Sequence, residues 1–171
     1  MKTLKIFSLV TALFLSACGG TAKNINEGMK APNFTLPDAY GNSYTLASFR
    51  GKSPVILYFY PKASTPGCTK EACGVRDNIS KFKENGIEIF GISVDSKEKI
   101  KSFIDDYKLN FPLLSDKEKE VSKAYGVLNA LGFDNRVTFI IDKNGNIAKV
   151  IRDVDVDKHA EQVLGFALTL K

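Results

Sequence analysis

Residues 54–73 read PVILYFYPKASTPGCTKEAC. The first eight are a continuous apolar run, rich in aromatic and β-branched residues, with the character of a strand buried on both faces. Pro66 suits the first turn of a helix. Val75, Ile79 and Phe82 then recur at helical spacing, so the sequence predicts a helix over 66–84, ended by Asn85-Gly86. A buried strand therefore runs almost directly into a helix. Cys68 falls in the first turn of that helix and Cys73 lies five positions further on.

Working outward, residues 34–36 and 44–46 read as two short strands divided by a Gly41-Asn42 turn. Residues 87–95, IEIFGISVD, form a second buried strand. Residues 96–108 form a helix with Ser96 as N-cap, and Lys99 rules out a capping box. Residues 117–127 suggest another short helix. RVTFIID (136–142) and NIAKVIRDV (146–154) are two more strands, joined by Asn144-Gly145, a strong hairpin signal. KHAEQVLGFALTL closes the chain as an amphipathic helix. Alternation of this kind predicts an α/β protein of thioredoxin-like fold, a central mixed sheet with parallel core strands flanked by helices. That domain is expected to span 28–171.

The chain begins MKTLKIFSLVTALFLSAC. Lys2 and Lys5 precede an apolar run from Ile6 to Leu15, too short for a comfortable membrane span and proportioned like a secretory signal. Its end, LSAC, resembles the lipobox of bacterial lipoproteins, in which the cysteine is acylated and the chain is cut before it. The expectation is a signal peptide over 1–17, lipidation at Cys18, and a lipidated, flexible tether over 18–27. No aspartate follows Cys18. The expected location is therefore the cell envelope, anchored by lipid to the outer membrane and facing the periplasm.

The 171 residues are enough for one domain with a real core. The net charge is +5, and loss of Lys2 and Lys5 leaves +3 with no basic stretch, which argues against nucleic acid as a partner. There is a single histidine, His159. It is read as a solvated helix residue. Glu71 and Arg76, on the same helix as the cysteines, either pair with each other or support the site, and the structural reading is favoured.

Cys68 and Cys73 admit three readings. Zinc needs about four ligands, and two thiols with one distant histidine do not supply them. A permanent disulfide meets a geometric obstacle. In a continuous helix, positions i and i+5 place their α-carbons roughly 8–9 Å apart, beyond the ~7 Å bridging limit, so the bond requires the first turn to unwind. Catalysis fits better. A helix N-terminus favours a thiolate at Cys68, and Cys73 is close enough to resolve an oxidised sulfur once the turn opens.

These residues resemble the peroxiredoxins, specifically the bacterioferritin comigratory protein or peroxiredoxin Q group. The pattern P-x-x-x-T-x-x-C is met by Pro61, Thr65 and Cys68. TPGCTKEAC matches the subgroup's pair of cysteines, GMKAPNF its opening, and RVTFIID its arginine-bearing strand. The resemblance covers about residues 28–168. It implies that Cys68 attacks the peroxide and that Cys73 closes an intrachain disulfide. Thr65 would hold its hydroxyl against the thiolate and peroxide. Arg136 would favour the thiolate and polarise the peroxide, and Pro61 would shield the sulfur from water. A thioredoxin-like dithiol would be the reductant, with no flavin, haem or metal cofactor, and the subgroup implies a monomer.

Bland alternatives remain for three of these residues: Thr65 as a helix cap, Arg136 as a surface strand residue, and Pro61 as a strand stop. The rival activity is a membrane-anchored thiol–disulfide oxidoreductase on the same fold. Such proteins use C-x-x-C, generally after Trp, and this chain has no Trp and a longer spacing.

Overall fold

A computed structural model describes residues 25–170. The expected signal peptide, Cys18 and most of the expected tether lie outside the described residues. Seven strands and four α-helices follow one another: β1 (Thr35–Pro37), β2 (Ser43–Thr45), β3 (Val55–Phe59), α1 (Pro66–Glu84), β4 (Glu88–Ser93), α2 (Lys97–Tyr107), β5 (Leu113–Ser115), α3 (Glu120–Ala124), β6 (Val137–Ile141), β7 (Ile147–Ile151) and α4 (His159–Leu168). β1 and β2 form a small antiparallel ribbon, and the other five make one sheet in the order β5-β4-β3-β6-β7. β3, β4 and β5 are mutually parallel, whereas β6 pairs antiparallel with both β3 and β7. This is the thioredoxin-like α/β fold that the alternation predicts. Among the described residues, no helix is long and apolar enough to cross a membrane.

β3 is buried at every position, as its unbroken apolar run requires. Its side chains alternate between two cores. Ile56, Tyr58 and Tyr60 face a layer that includes Cys68, Val75, Phe103, Val163 and Ala167 from α1, α2 and α4. Val55, Leu57 and Phe59 face a second layer with Phe34, Tyr125, Phe139 and Ile141. β3 thus holds both layers and delivers the chain to the start of α1 from the centre of the sheet.

The structure departs from the sequence reading in two places. β5 is a strand that the reading passed over, because three residues beside Pro112 carry too little periodicity to register. The domain also starts before residue 28. Ile25 is buried among the second layer, its carbonyl accepts a hydrogen bond from Arg152 at 2.8 Å, and Glu27 pairs with Lys149 and accepts from the Val150 amide. Residues 25–27 are docked against β7 and are not part of a free tether.

β4 passes beneath Tyr58 at Gly91, the register partner of both Tyr58 and Leu113. A Cβ at Gly91 would lie 2.5 Å from Leu113 and 2.6 Å from the Tyr58 ring and hydroxyl. No methyl group fits there without moving a central strand. Gly91→Ala is expected to destabilise the fold by about 1–3 kcal/mol, measured as a lower urea midpoint at unchanged m-value.

Candidate active site

α1 opens with Thr65 at its N-cap position and Pro66 at the first helical position. Proline has no N–H to leave unpaired and its fixed φ suits a first turn. Cys68 is therefore the third helical residue, where peptide N–H groups have no carbonyl partner one turn back. The first turn carries no acidic side chain, so the positive end of the helix dipole is not spent on a carboxylate and remains for the sulfur. Cys68 is only 1% exposed.

The loop entering α1 is built to hold this geometry. The Ala63 amide donates to Asp95 Oδ2 at 2.8 Å, a buried contact reaching from the end of β4. The Ser93 hydroxyl donates to the same oxygen at 3.1 Å. Ser64 has φ of +60°, left-handed for a non-glycine residue, a conformation that persists only where surrounding contacts enforce it.

Arg136, immediately before β6, lies at the centre of the site. Its Nη2 donates to Cys68 Sγ at 3.2 Å, and its Nη1 forms a short charge-assisted contact with Glu71 Oε2. Gly67 leaves room for it, since a Cβ there would stand 3.3 Å from Nη2. Burial works against the guanidinium charge, but Glu71 and Cys68 outweigh it and keep Arg136 firmly protonated. Arg136 is thus not a surface strand residue.

Glu71 and His159 correct the sequence reading. Glu71 does not pair with Arg76, which binds Asp77 and the Tyr107 carbonyl. Instead its side chain is buried beneath Arg136. His159 is not solvated; it is 0% exposed. Its Nδ1 faces Glu71 Oε1 at 3.2 Å, a contact not aligned as a hydrogen bond, and neither atom has a hydrogen-bond partner. Its Nε2 lies 2.8 Å from the Thr138 hydroxyl on β6, and its ring stands edge-on to Tyr58. The signal was present in both helices: Glu71 is spaced with Cys68 and Val75, and His159 with Val163 and Ala167, at intervals of three and four residues that put them on the inward faces.

Both buried groups are displaced from their ordinary titration. Burial pushes the Glu71 carboxyl up to about 7, against the pull of Arg136. Burial, reinforced by Arg136, brings His159 down to about 4. Asp134, buried without a partner for either carboxylate oxygen, is also pushed up by burial to about 7.

The remaining expected residues are placed less closely. The Thr65 hydroxyl donates to the Lys62 carbonyl at 2.9 Å rather than contacting Cys68, and it makes no side-chain cap. Pro61 stands half-buried just beyond β3. Cys73 is half-buried within an unbroken α1, and both thiols are free. An exposed ion pair between Lys70 and Asp157 ties the first turn of α1 to the approach of α4. A groove of about 600 Å³ beside Leu36, Ser96 and Tyr125 has none of Cys68, Thr65 or Arg136 in its wall.

A buried sulfur at a helix N-terminus, touched by a protonated arginine, is equipped to react as a nucleophile. Known proteins resemble the chain over most of its length. The model of the AhpC/TSA family matches residues 28–150. A chloroplastic peroxiredoxin Q of Sedum lineare is 43% identical over 150 residues, covering 86% of this chain and 80% of its own. The crystal structure of peroxidoxin BcpB from Mycobacterium tuberculosis superposes with a TM-score of 0.79 at 35% identity, covering 86% of this chain and 99% of that one. A Xanthomonas campestris bacterioferritin comigratory protein, described for its alkyl peroxide reduction activity, superposes with a TM-score of 0.76 at 29% identity, covering 84% and 98%.

The displaced titrations have a measurable consequence. Glu71, raised in the folded state, adds stability below pH 4.5 that is lost as pH rises toward about 7. His159, lowered, adds stability above pH 6.5 that is lost as pH falls toward about 4. Between 4.5 and 6.5 the folded pair keeps its single proton on Glu71 and the unfolded pair on His159, so the two slopes cancel. Glu71→Gln should uncover the histidine slope, giving stability that rises with pH across this window relative to the parent chain. His159→Asn should uncover the opposite slope. Urea unfolding at several pH values, read as the difference from the parent, removes the contribution of Asp134.

Proposed function

The chain belongs to the AhpC/TSA family and is a thiol peroxidase of the peroxiredoxin Q/Bcp kind, and from that premise we propose that it reduces hydrogen peroxide and organic hydroperoxides through Cys68 and an intrachain disulfide with Cys73. The observation that carries this reading is the Arg136 guanidinium bridging Cys68 Sγ and the buried Glu71 carboxyl.

The Cys68 thiolate attacks one oxygen of the peroxide. A sulfur–oxygen bond forms and the O–O bond breaks. Cys68 becomes a sulfenic acid, retaining the hydroxyl, and the other oxygen leaves as alkoxide or hydroxide and takes a proton to become alcohol or water. Arg136 is placed to stabilise the negative charge as it passes from sulfur to the leaving oxygen. The proton of the Thr65 hydroxyl is committed to Lys62. Its lone pairs are therefore what it offers, and they accept the peroxide O–H and orient the O–O bond along the attack line. Pro61 limits the approach of water to the sulfur.

Resolution requires movement. Because Cys68 and Cys73 share one continuous helix, the first turn must unwind before the Cys73 sulfur can attack the sulfenic acid. The S–S bond then forms, the S–O bond breaks and water leaves. A thioredoxin-like dithiol returns both cysteines to thiols and is itself oxidised to a disulfide. Cytosolic thioredoxin does not reach an exported domain, so a periplasmic dithiol relay fills that role. The enzyme acts as a monomer held by lipid at Cys18, consistent with the LSAC sequence and the absence of a following aspartate.

Peroxide consumption tests the chemistry. Cys68→Ser should consume none. Cys73→Ser should consume one equivalent, accumulate a sulfenic acid trapped by a dione reagent, and stop. Thr65→Val should slow the peroxide step by about tenfold or more. Turnover by Cys68→Ser at the parent rate would overturn the assignment. Mass spectrometry of the mature N-terminus tests the anchor, the expected result being an acylated Cys18 and loss of residues 1–17.

A further inference from the structure

Glu71 is held from both sides. One carboxylate oxygen meets Arg136 and the other faces only His159. Both side chains are fully buried, so water cannot substitute for either partner. The charged and titratable groups against the pair come from four segments. α1 supplies Cys68 and Glu71, β3 supplies Tyr58, the turn before β6 supplies Arg136, and α4 supplies His159. Thr138 on β6 closes the chain of contacts.

We propose that His159 is a positioning residue for the peroxidase reaction, sharing one proton with Glu71 so that the carboxyl group holds Arg136 on Cys68 whether Glu71 is ionised or neutral. The proposal rests on the peroxidase reading and adds a residue that acts through Glu71 and Arg136 without touching substrate.

A small rotation of either side chain aligns the facing atoms, and two arrangements then give each of them a partner. With Glu71 ionised, His159 donates its Nδ1–H to Oε1, and Nε2 accepts from the Thr138 hydroxyl. With Glu71 protonated, the carboxyl O–H donates to Nδ1, and Nε2–H donates to the Thr138 oxygen. One proton is taken up from solvent in passing from the first to the second. The imidazole stays neutral and exchanges one tautomer for the other, while the threonine hydroxyl turns from donor to acceptor. Glu71 Oε2 keeps Arg136 in both. An apolar residue at 159 would leave a buried carboxylate oxygen without a donor, and the carboxyl would turn or take a different proton, releasing the guanidinium.

His159 is the sole histidine in the chain, so nitrogen NMR of the ring in the reduced full-length protein reads it without ambiguity. From about pH 5 to about pH 8 the ring is expected to stay neutral. Its N–H should pass from Nε2 to Nδ1 with a midpoint near the Glu71 value of about 7. A ring that becomes imidazolium near its solution value, or keeps one tautomer throughout, overturns the proposal.

The second arm reads Cys68 alkylation by iodoacetamide, resolved by peptide mass spectrometry. His159→Leu should slow it about tenfold, the effect of a buried polar atom left without a partner. His159→Asn, which keeps an amide near the Nδ1 position, should recover most of the loss. In a Glu71→Gln background His159→Leu should add little, because the two act as one unit. Parent-like alkylation in a folded His159→Leu chain, or full additivity with Glu71→Gln, overturns the proposal. If His159→Leu does not fold, the NMR arm on the parent chain decides. Neither arm uses peroxide, so a chain inactive toward peroxide would refute the function proposed above and leave these outcomes to judge His159.

Discussion

A protonated guanidinium lies against a buried sulfur on one side and a buried carboxyl on the other, and the rest of the domain is arranged around the cost of keeping it there. Removing charges from water is expensive, and a pair repays that cost only when its geometry is tight and every remaining polar atom finds a partner. Arg136 comes from the turn before β6, Cys68 and Glu71 from the first two turns of α1, and His159 from the first turn of α4. These segments meet because β3 and β6 are neighbours in the sheet and because α1 and α4 pack side by side over the same face of it, sharing one apolar layer. The fold brings three chain-distant segments to one point, and the site is where they meet.

Much of this was legible in the sequence, for physical reasons that also explain what was not. The apolar run at 54–61 could only be a central strand, and Pro66 and Asn85-Gly86 bracket α1 to the residue. Asn144-Gly145 announced the β6–β7 hairpin. Cys68 is readable because the start of a helix after a strand electrostatically favours a thiolate. Glu71 and His159 are harder to read, because their charge masks the core phase that each occupies on its helix. A polar residue at a core phase of a helix is either an error or a buried network, and two of them on facing helices point to the network. No local pattern shows that residues 71 and 159 meet, since that contact exists only once α4 has packed on α1. β5 escaped for a different reason, being too short to display a period.

The same junction carries a conflict between order and motion. Cys68 is held by Arg136, by the start of a regular helix and by a loop strained at Ser64 and fixed through Asp95. All of these keep the sulfur ready to react, and all oppose the unwinding that would let Cys73 reach it. Oxidation offers a resolution, because a sulfenic acid is neutral and loses the charge that drew the guanidinium and the helix dipole to the sulfur. The contacts that hold the turn closed are thus strongest before the reaction and weakest after it. The strained, left-handed Ser64 lies just ahead of the turn whose unwinding the proposed disulfide requires.

One restraint on that turn lies in open solvent. The pair between Lys70 and Asp157 spans from the first turn of α1 to the segment entering α4, with both side chains more than half exposed. Exposed pairs of this kind are modest and are screened by dissolved ions. The buried restraints on Cys68 are shielded from that screening, so the two sets respond differently to the medium. Rising salt would leave the sulfur's surroundings intact while loosening the outer clasp, and the frequency of local opening would follow the ionic strength of the medium.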